Sequence, residues 1–85
     1  MYSIIHPLND NFKINAVNHN TIHIYKNSEL LQPLKIKYNQ EYCIKINKKS
    51  KTISSMYNAM DLVHWLKNEY VWVNVILREL YNTEV

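Results

Sequence analysis

The sequence predicts an α+β domain in which a small antiparallel β-sheet is packed on one face by one or two C-terminal helices. Apolar and polar residues alternate over residues 2–47, and clusters of Asn or Pro divide this region into about four to five strands. After Lys51 the apolar residues recur at helical spacing instead. The 85 residues suffice for one hydrophobic core, so we expect a single domain over residues 1–85.

The first part of the predicted sheet contains an N-terminal strand and a hairpin. Tyr2–His6 predicts a strand that ends at Pro7. Phe12–Val17 and Thr21–Lys26 each place apolar side chains on one face of a strand. Because only the short turn Asn18–Asn20 separates them, we expect these two strands to pair as a hairpin.

A second hairpin is predicted between Leu34–Tyr38 and Glu41–Asn47, with its turn at Asn39–Gln40. Alternation puts side chains from both strands on one inward face. The preceding segment, Asn27–Pro33, is expected to be a connection with one helical turn at Ser28–Leu31. The inward side chains of the hairpin are Leu34, Ile36, Tyr38, Tyr42, Ile44 and Ile46.

The last third of the chain predicts two further elements. Ser54 or Ser55 is a suitable N-cap for a helix over about residues 55–67, where apolar residues recur at helical spacing. Residues 71–82 are ambiguous, because valines at alternate positions favour a strand. The length of this run and the helix formers around Arg78 favour a helix, which is the interpretation that we adopt.

The composition restricts both the compartment and the source of the protein. Cys43 is the single cysteine, so no intramolecular disulfide can form and a reducing compartment is expected. The sequence shows neither a secretion signal nor an apolar run of membrane-spanning length, so we expect a cytoplasmic protein. The 12 Asn, 9 Lys and 10 Ile residues, against 2 Ala and 1 Arg, indicate A/T-rich codons. Such a gene is typical of a low-GC bacterium, its phages or a large virus, and a phage protein would act in the host cytoplasm.

The sequence contains no glycine, which excludes one class of binding loop. Gly-rich phosphate loops need residues without a Cβ, so a P-loop and a dinucleotide-binding fingerprint are both excluded. Turns that require a positive φ must then use other residues, of which Asn is the most tolerant. We expect such turns at the Asn residues between apolar runs, namely Asn18, Asn20, Asn27, Asn39 and Asn47.

Positive charge is concentrated in the predicted sheet. Residues 1–51 carry eight Lys and three acidic residues, a net charge of +5, whereas residues 52–85 carry two basic and four acidic residues, a net charge of −2. The lysines should project from the solvent face, either as a solvated surface that discourages edge-to-edge association or as a contact for an anionic partner. The candidate contact residues are Lys35, Lys37 and Lys45 on the strands, Lys48, Lys49 and Lys51 at the next turn, and Tyr25, with Lys13 and His23 beside them if both hairpins share one sheet.

Aromatic residues are concentrated in the helical region, where most of them are expected in the core. Trp65 and Trp72 cannot both lie on the helical stripe that contains Val63, so at least one of them should be partly exposed. Exposed Trp is typical of protein interfaces, which makes Trp72 a further candidate contact residue. The aromatic set is Tyr57, Trp65, Tyr70, Trp72 and Tyr81.

The sequence contains no assembled catalytic or metal-binding motif, so we predict a protein that is not an enzyme and needs no cofactor. His19 and His23 have the spacing of a helical metal pair, but they lie in a predicted turn and strand. Cys43 lacks a flanking nucleophile motif, and the acidic residues are scattered. A small toxin-type nuclease would have to use a histidine as its proton carrier, which leaves His6, His19, His23 and His64.

The leading functional hypothesis is a stoichiometric binding protein that occupies a surface of a larger host protein, such as a nucleic-acid-handling enzyme. Small size and A/T-rich coding are typical of inhibitors of host defence that phages or mobile elements encode, including anti-CRISPR proteins. The alternative is an accessory protein that binds nucleic acid through the lysines of the sheet, and the nuclease is the second alternative. A homodimer through an exposed strand edge or an aromatic helix face stays open.

Overall fold

Seven strands and two helices form the part of the chain that the structure describes. A computed structural model of the protein describes residues 4–7 and 11–83. One sheet is followed by two helices, which confirms the predicted α+β fold class. The elements are β1 (Ile4–Pro7), β2 (Phe12–Asn18), β3 (Thr21–Lys26), β4 (Glu29–Leu30), β5 (Leu34–Tyr38), β6 (Ile44–Asn47), β7 (Thr52–Ser55), α1 (Ala59–Asn68) and α2 (Tyr70–Tyr81).

The sheet is mixed rather than wholly antiparallel. Its strand order is β1-β2-β3-β5-β7-β6, and the short β4 pairs with β3. β5 and β7 run parallel, whereas the other pairs of described strands are antiparallel. The expectation of an antiparallel sheet therefore holds on the N-terminal side and fails at this one pair.

The predicted hairpin over residues 34–47 is wrong, because β7 lies between β5 and β6. Ile53 of β7 is the register partner of Ile36 on one side and of Ile46 on the other. Ile53 is fully buried, and complete burial of such a side chain is worth roughly 1.5–3 kcal/mol. Thr52–Ser55 therefore forms a central strand, which includes both serines that were predicted as helix caps.

The side chains that were expected to face inward from that hairpin differ in burial. Tyr38 is 53% exposed because it lies at the end of β5, so its predicted burial is wrong. Tyr42 precedes β6 and is partly exposed. The remaining four do face the core: Leu34 and Ile36 are buried, and Ile44 and Ile46 are partly buried against it.

The predicted hairpin of β2 and β3 is confirmed. Ile14 pairs with Ile24, and Ala16 pairs with Ile22, so their side chains share the core face. β1 lies on the other side of β2 and ends at Pro7. Tyr2 and Ser3 of the predicted first strand lie outside the described residues.

The turn after β3 uses two left-handed residues that are not glycine. Asn27 and Ser28 have φ angles of 51° and 69°, which is the geometry of a two-residue hairpin turn. β4 then returns along β3, with Glu29 opposite Lys26. The predicted helical turn at Ser28–Leu31 is therefore wrong, because β3 satisfies the backbone of this segment instead.

Three of the four other Asn residues that were expected at turns stabilise them through their side chains. The side-chain oxygens of Asn18, Asn39 and Asn47 each accept a hydrogen bond from the N–H two residues later, at distances of 3.0, 2.9 and 3.0 Å. Asn was thus correctly expected at the turns, but its predicted positive φ is found at only one of the expected positions. The described residues with positive φ are Asn27, Ser28, Lys51 and Asn82.

α1 begins later than predicted, at Ala59. Asn58 is its N-cap, since the side-chain oxygen of Asn58 accepts a hydrogen bond from the Asp61 N–H at 2.9 Å. Ser54 and Ser55, the predicted caps, lie in β7. The predicted cap position was wrong because pairing with β5 and β6 holds both serines in an extended strand.

Both helices pack on the same face of the sheet, and α2 confirms the helix that was expected over residues 71–82. Each helix buries a stripe at the spacing of an amphipathic helix. α1 contacts β1, β2 and β3, and α2 contacts β6, so no described helix covers the opposite face. The stripes are Ala59, Leu62, Val63 and Leu66 in α1, and Val73, Ile76, Leu77 and Leu80 in α2.

The position of Ile53 can be tested by truncation. Ile53→Ala should lower the free energy of unfolding by roughly 2–4 kcal/mol, because a fully buried site cannot refill the lost volume. Ile46→Ala, at a partly buried site, is the matched control and should cost clearly less. Urea unfolding followed by tryptophan fluorescence measures both. Equal losses would contradict the central position of β7.

Candidate functional site

The side of the sheet away from the helices carries most of the strand lysines. Side chains alternate along each strand and register partners share a face, which assigns each position to one side. We refer to this side as the open face. Its positions on β2 to β7 are Lys13, Asn15, Thr21, His23, Tyr25, Leu30, Lys35, Lys37, Lys45, Asn47, Thr52 and Ser54.

The lysines of the open face are separated by hydroxyl groups. Ser54 of β7 is the register partner of both Lys37 and Lys45, so these two lysines lie two strand spacings apart, roughly 10 Å. Lys35 lies next to Thr52 on one side and Thr21 on the other. The predicted grouping of Lys35, Lys37 and Lys45 on one face is thus observed: Lys35 and Lys37 are neighbours along β5, and β7 separates them from Lys45.

The open face is uniformly basic. Among the described strand residues the only carboxylate is that of Glu29, which is the register partner of Lys26. Lys26 in turn pairs with the buried Phe12, so Glu29 belongs to the helix-covered side. With four lysines and no carboxylate from the described strands, the open face can attract an anionic surface over its whole width.

Two lysines of the open face are held by neighbouring groups. The Lys35 ammonium donates to the Thr21 hydroxyl at 3.3 Å, and the Lys45 ammonium lies 3.7 Å from the centroid of the Tyr42 ring. A cation over an aromatic face is attracted by the ring's negative π-surface. These contacts limit the freedom of both side chains, which lowers the entropy that binding would cost.

A shallow depression lies at the β2 and β3 end of the open face. It has a volume of about 300 Å³ and is lined by Lys13, Asn15, Tyr25 and Ser28. Tyr25 packs edge-on against His23, with ring centroids 6.5 Å apart. Tyr25 is therefore on the open face, as predicted, but at the opposite end from Lys45.

Lys48 and Lys51 are directed at α2 rather than along the open face. Lys48 forms a 2.7 Å ion pair with Glu79, and its hydrogen bond and charge lower the pKa of Glu79. The Lys51 ammonium donates to the Leu80 carbonyl, near the negative end of the helix dipole. Of the three turn lysines, only Lys49 makes no such contact with α2 within the part of the chain that the structure describes, so the structure divides the predicted lysine patch.

Tyr81 adds a further contact at the C-terminal end of α2. Its hydroxyl donates to the Gln32 carbonyl at 2.7 Å, and its ring lies 5.3 Å from the Lys51 ammonium. Burial raises the pKa of Tyr81 to about 12. This end of α2 is thus attached to two separate loops, through the Gln32 carbonyl of one and the Lys51 side chain of the other.

A second surface is a cleft among aromatic rings at the start of β6. Tyr57 stacks on Trp65 with a centroid distance of 5.8 Å, and Trp65 lies 6.2 Å from Trp72. Trp72 is 49% exposed, which agrees with the expectation that one of the two Trp residues is not in the core. We refer to this surface as the aromatic cleft; its volume is about 320 Å³, and it is lined by Cys43, Ile44, Met56, Tyr57, Trp65 and Trp72.

Sequence reasoning identified only Trp72 of this cleft as a contact residue. Met56 is 39% exposed because it follows β7 and precedes the helix. The helix that was expected over residues 55–67 would instead have included Met56. Cys43 is exposed at the start of β6, opposite Met56.

The three histidines whose side chains the structure describes do not converge on one site. His23 is on the open face, whereas His64 is exposed on α1, on the other side of the sheet. His19 is in the turn between β2 and β3, where its carbonyl accepts the Ala59 N–H at 2.9 Å. Within the described ranges no group of His, Cys, Asp or Glu side chains is arranged to hold a metal ion.

Comparison with known proteins gives no relative: no family model, no curated protein and no solved structure matches this chain. Neither described helix has the length and apolar character needed to cross a membrane. The open face and the aromatic cleft are therefore the two candidate binding surfaces of the described residues.

The division of the turn lysines can be tested by stability measurements. Lys51→Met keeps the aliphatic stem but removes the charged hydrogen bond to Leu80, and should lower the free energy of unfolding by about 1–2 kcal/mol. Lys49→Met, at an exposed position, should change it by less than about 0.5 kcal/mol. Urea unfolding compares the two variants. Similar small effects would show that Lys51 does not brace α2.

Proposed function

We propose that this chain is a non-enzymatic protein that binds stoichiometrically to a larger host protein and inhibits it by occupying a surface. The observation that carries the proposal is the aromatic cleft, where Trp72 is 49% exposed beside Trp65 and Tyr57. Trp and Tyr dominate the binding energy of many protein interfaces because they bury a large area with few rotatable bonds. A half-exposed, already stacked ring system is suited to that role.

The cleft can accept an apolar side chain from a partner. Met56 and Ile44 supply flexible and branched apolar groups beside the rings. Neighbouring rings restrict Trp72, so part of the ordering cost of binding is already met in the free protein. The volume of about 320 Å³ suits one large side chain rather than an extended ligand.

The basic open face supports a partner with an acidic surface. Lys45 lies on β6, the strand that borders the cleft, and Lys37 lies two strands away on β5, so a partner that extends across the edge of the sheet can contact both surfaces. Charge complementarity of this kind contributes mainly to the choice of partner and to its orientation.

The A/T-rich coding of the chain favours a phage or mobile element as its source, and a defence protein of the host as its target. Inhibitors of this class, anti-CRISPR proteins among them, act by binding rather than by catalysis. The protein would then act in the host cytoplasm. This part of the proposal depends on composition and not on a structural relative.

Substitution of Trp72 tests the binding role of the cleft. Immobilised wild-type protein is used to capture a partner from a lysate of a low-GC bacterial host, and the purified pair is measured by calorimetry. Trp72→Ala should weaken binding by about 30-fold, the loss of roughly 2 kcal/mol that a hot-spot residue contributes. Val71→Ala is the matched control, since Val71 is 75% exposed and does not line the cleft.

The stoichiometry in the same experiment should be one to one. If no protein is captured, or if Trp72→Ala binds as tightly as Val71→Ala, the proposal fails. Thermal unfolding of both variants checks that the loss of binding is not a loss of fold.

Nucleic-acid binding is the second candidate function, and the uniformly basic open face is the observation that favours it. Lysine spacing along β5 is roughly 7 Å between Lys35 and Lys37, set by the strand repeat. Tyr25 and His23 add two partly exposed rings on which a base could stack. Arg78, the single arginine, is on α2, so base reading by arginine does not occur on this face.

Charge reversal tests this second function. The double variant Lys35→Glu and Lys37→Glu should abolish binding to single-stranded oligonucleotides, and wild-type binding should weaken steeply with salt. Lys67→Glu, on α1, is the control and should bind within about threefold of the wild type. Fluorescence anisotropy measures all three. Wild-type binding that does not change with salt, or with the double variant, would eliminate this function.

A further inference from the structure

β6 is the end strand of the sheet, and one side of its backbone faces away from β7. The Met56 N–H donates to the Cys43 carbonyl at 3.2 Å, which makes these residues a hydrogen-bonded pair of the antiparallel ladder. Such pairs alternate along the strands, so Lys45 also directs its N–H and C=O toward β7. The N–H and C=O groups of Ile44 and Ile46 therefore point outward from the sheet.

The opposite side of β7 supports this assignment. The Lys35 N–H donates to the Lys51 carbonyl at 3.1 Å, and the Asn39 N–H donates to the Ser55 carbonyl at 2.7 Å. The odd-numbered residues of β7 thus bond to β5, and the even-numbered residues bond to β6. The outward groups of Ile44 and Ile46 follow from both sets of hydrogen bonds.

α2 runs beside β6 and in the same direction. Trp72, near the start of α2, lines the aromatic cleft with Ile44 at the start of β6. Glu79, near the end of α2, forms its ion pair with Lys48 just after β6. The outer edge of β6 and this flank of α2 thus lie side by side, from the aromatic cleft to the ion pair of Lys48 with Glu79.

We infer that an extended segment of the partner adds to β6 as a further strand and places a large apolar side chain in the aromatic cleft. This inference rests on the proposed function and specifies how the partner is bound. The outward N–H and C=O groups of Ile44 and Ile46 supply the main-chain hydrogen bonds. Strand addition beside a helix obtains affinity from these bonds and specificity from the pockets for alternate side chains.

The two faces of the sheet define the composition of the segment. Side chains beside Ile44 and Ile46 face the helices and the cleft, so they should be apolar. Side chains beside Lys45 lie on the open face, where Asp or Glu would pair with the lysine. The segment is therefore an alternating acidic and apolar strand.

Charge argues against a second copy of this chain as the occupant. An isologous pair of β6 strands centred on Lys45 would place the two Lys45 side chains directly opposite each other, which is unfavourable. The exposed Lys49 follows the same strand. A chain with a net charge of +3 and lysines at this edge is matched by an acidic segment instead.

The test uses a pool of acetylated hexapeptides in which Glu alternates with Leu, Val or Phe. Added in excess to the wild-type protein, the pool should slow hydrogen exchange of the Ile44 and Ile46 amides by at least roughly tenfold, as newly bonded amides do. The Lys45 amide, which already faces β7, should change little. A pool with Lys in place of Glu should have no effect.

Two variants separate the main-chain contact from the side chain. Ile46→Pro removes the outward N–H without removing a hydrogen bond to β7, as proline at a strand edge allows. Ile46→Ala loses the side chain but keeps that N–H. Peptide binding, measured by fluorescence of Trp72 and Trp65, should be lost with Ile46→Pro and kept within about threefold with Ile46→Ala.

If the peptide pool leaves hydrogen exchange of the Ile44 and Ile46 amides unchanged, strand addition is wrong. Equal peptide binding by Ile46→Pro and Ile46→Ala would also overturn it. Binding of a captured host protein to these variants distinguishes failure of strand addition from failure of the proposed function. If that protein is lost with Trp72→Ala but bound by Ile46→Pro, the cleft binds the partner and strand addition is wrong. If Ile46→Pro loses it and Ile46→Ala binds it, strand addition is supported.

Discussion

The burial of Ile53 between Ile36 and Ile46 is the constraint on which the other features depend. Because β7 takes the central position, β6 is displaced to the end of the sheet and its outer backbone is left unpaired by the described strands. The same insertion places Ser54 between Lys37 and Lys45. It also brings the residues after β7 beside the start of β6, where the aromatic cleft forms.

The two faces of the sheet have separate tasks. The helix-covered face provides the core, since both helical stripes and the central strand residues are buried there. The open face contributes little apolar burial and carries lysines separated by hydroxyls. Lys48 and Lys51 belong to neither surface, because their contacts with Glu79 and Leu80 attach the turn after β6 to α2. The basic surface is consequently smaller than the lysine count indicates.

Local patterns were sufficient to predict some of these features. The alternation in β2 and β3, together with the short Asn turn between them, predicted both strands and their pairing, and the long apolar run predicted α2. The position of β7 could not be predicted in this way: Ser54 and Ser55 resemble helix caps, and, although β7 pairs with β6 across a short turn, its parallel pairing with β5 joins residues 17 positions apart in sequence. The hydrogen bond of Lys51 to Leu80 and the position of Trp72 beside Ile44 in the cleft depend on that same pairing.

The ion pair between Lys48 and Glu79 has a consequence for the charge distribution of the whole molecule. It neutralises a positive charge at the boundary between the sheet and the helices, whereas the four lysines of the open face have no carboxylate beside them on the described strands. The described helices and the residue between them carry Asp61, Glu69 and Glu79 against Lys67 and Arg78, so the helical side is close to neutral. The molecule therefore has an electric dipole across the sheet, which turns the open face toward an acidic surface before the two make contact.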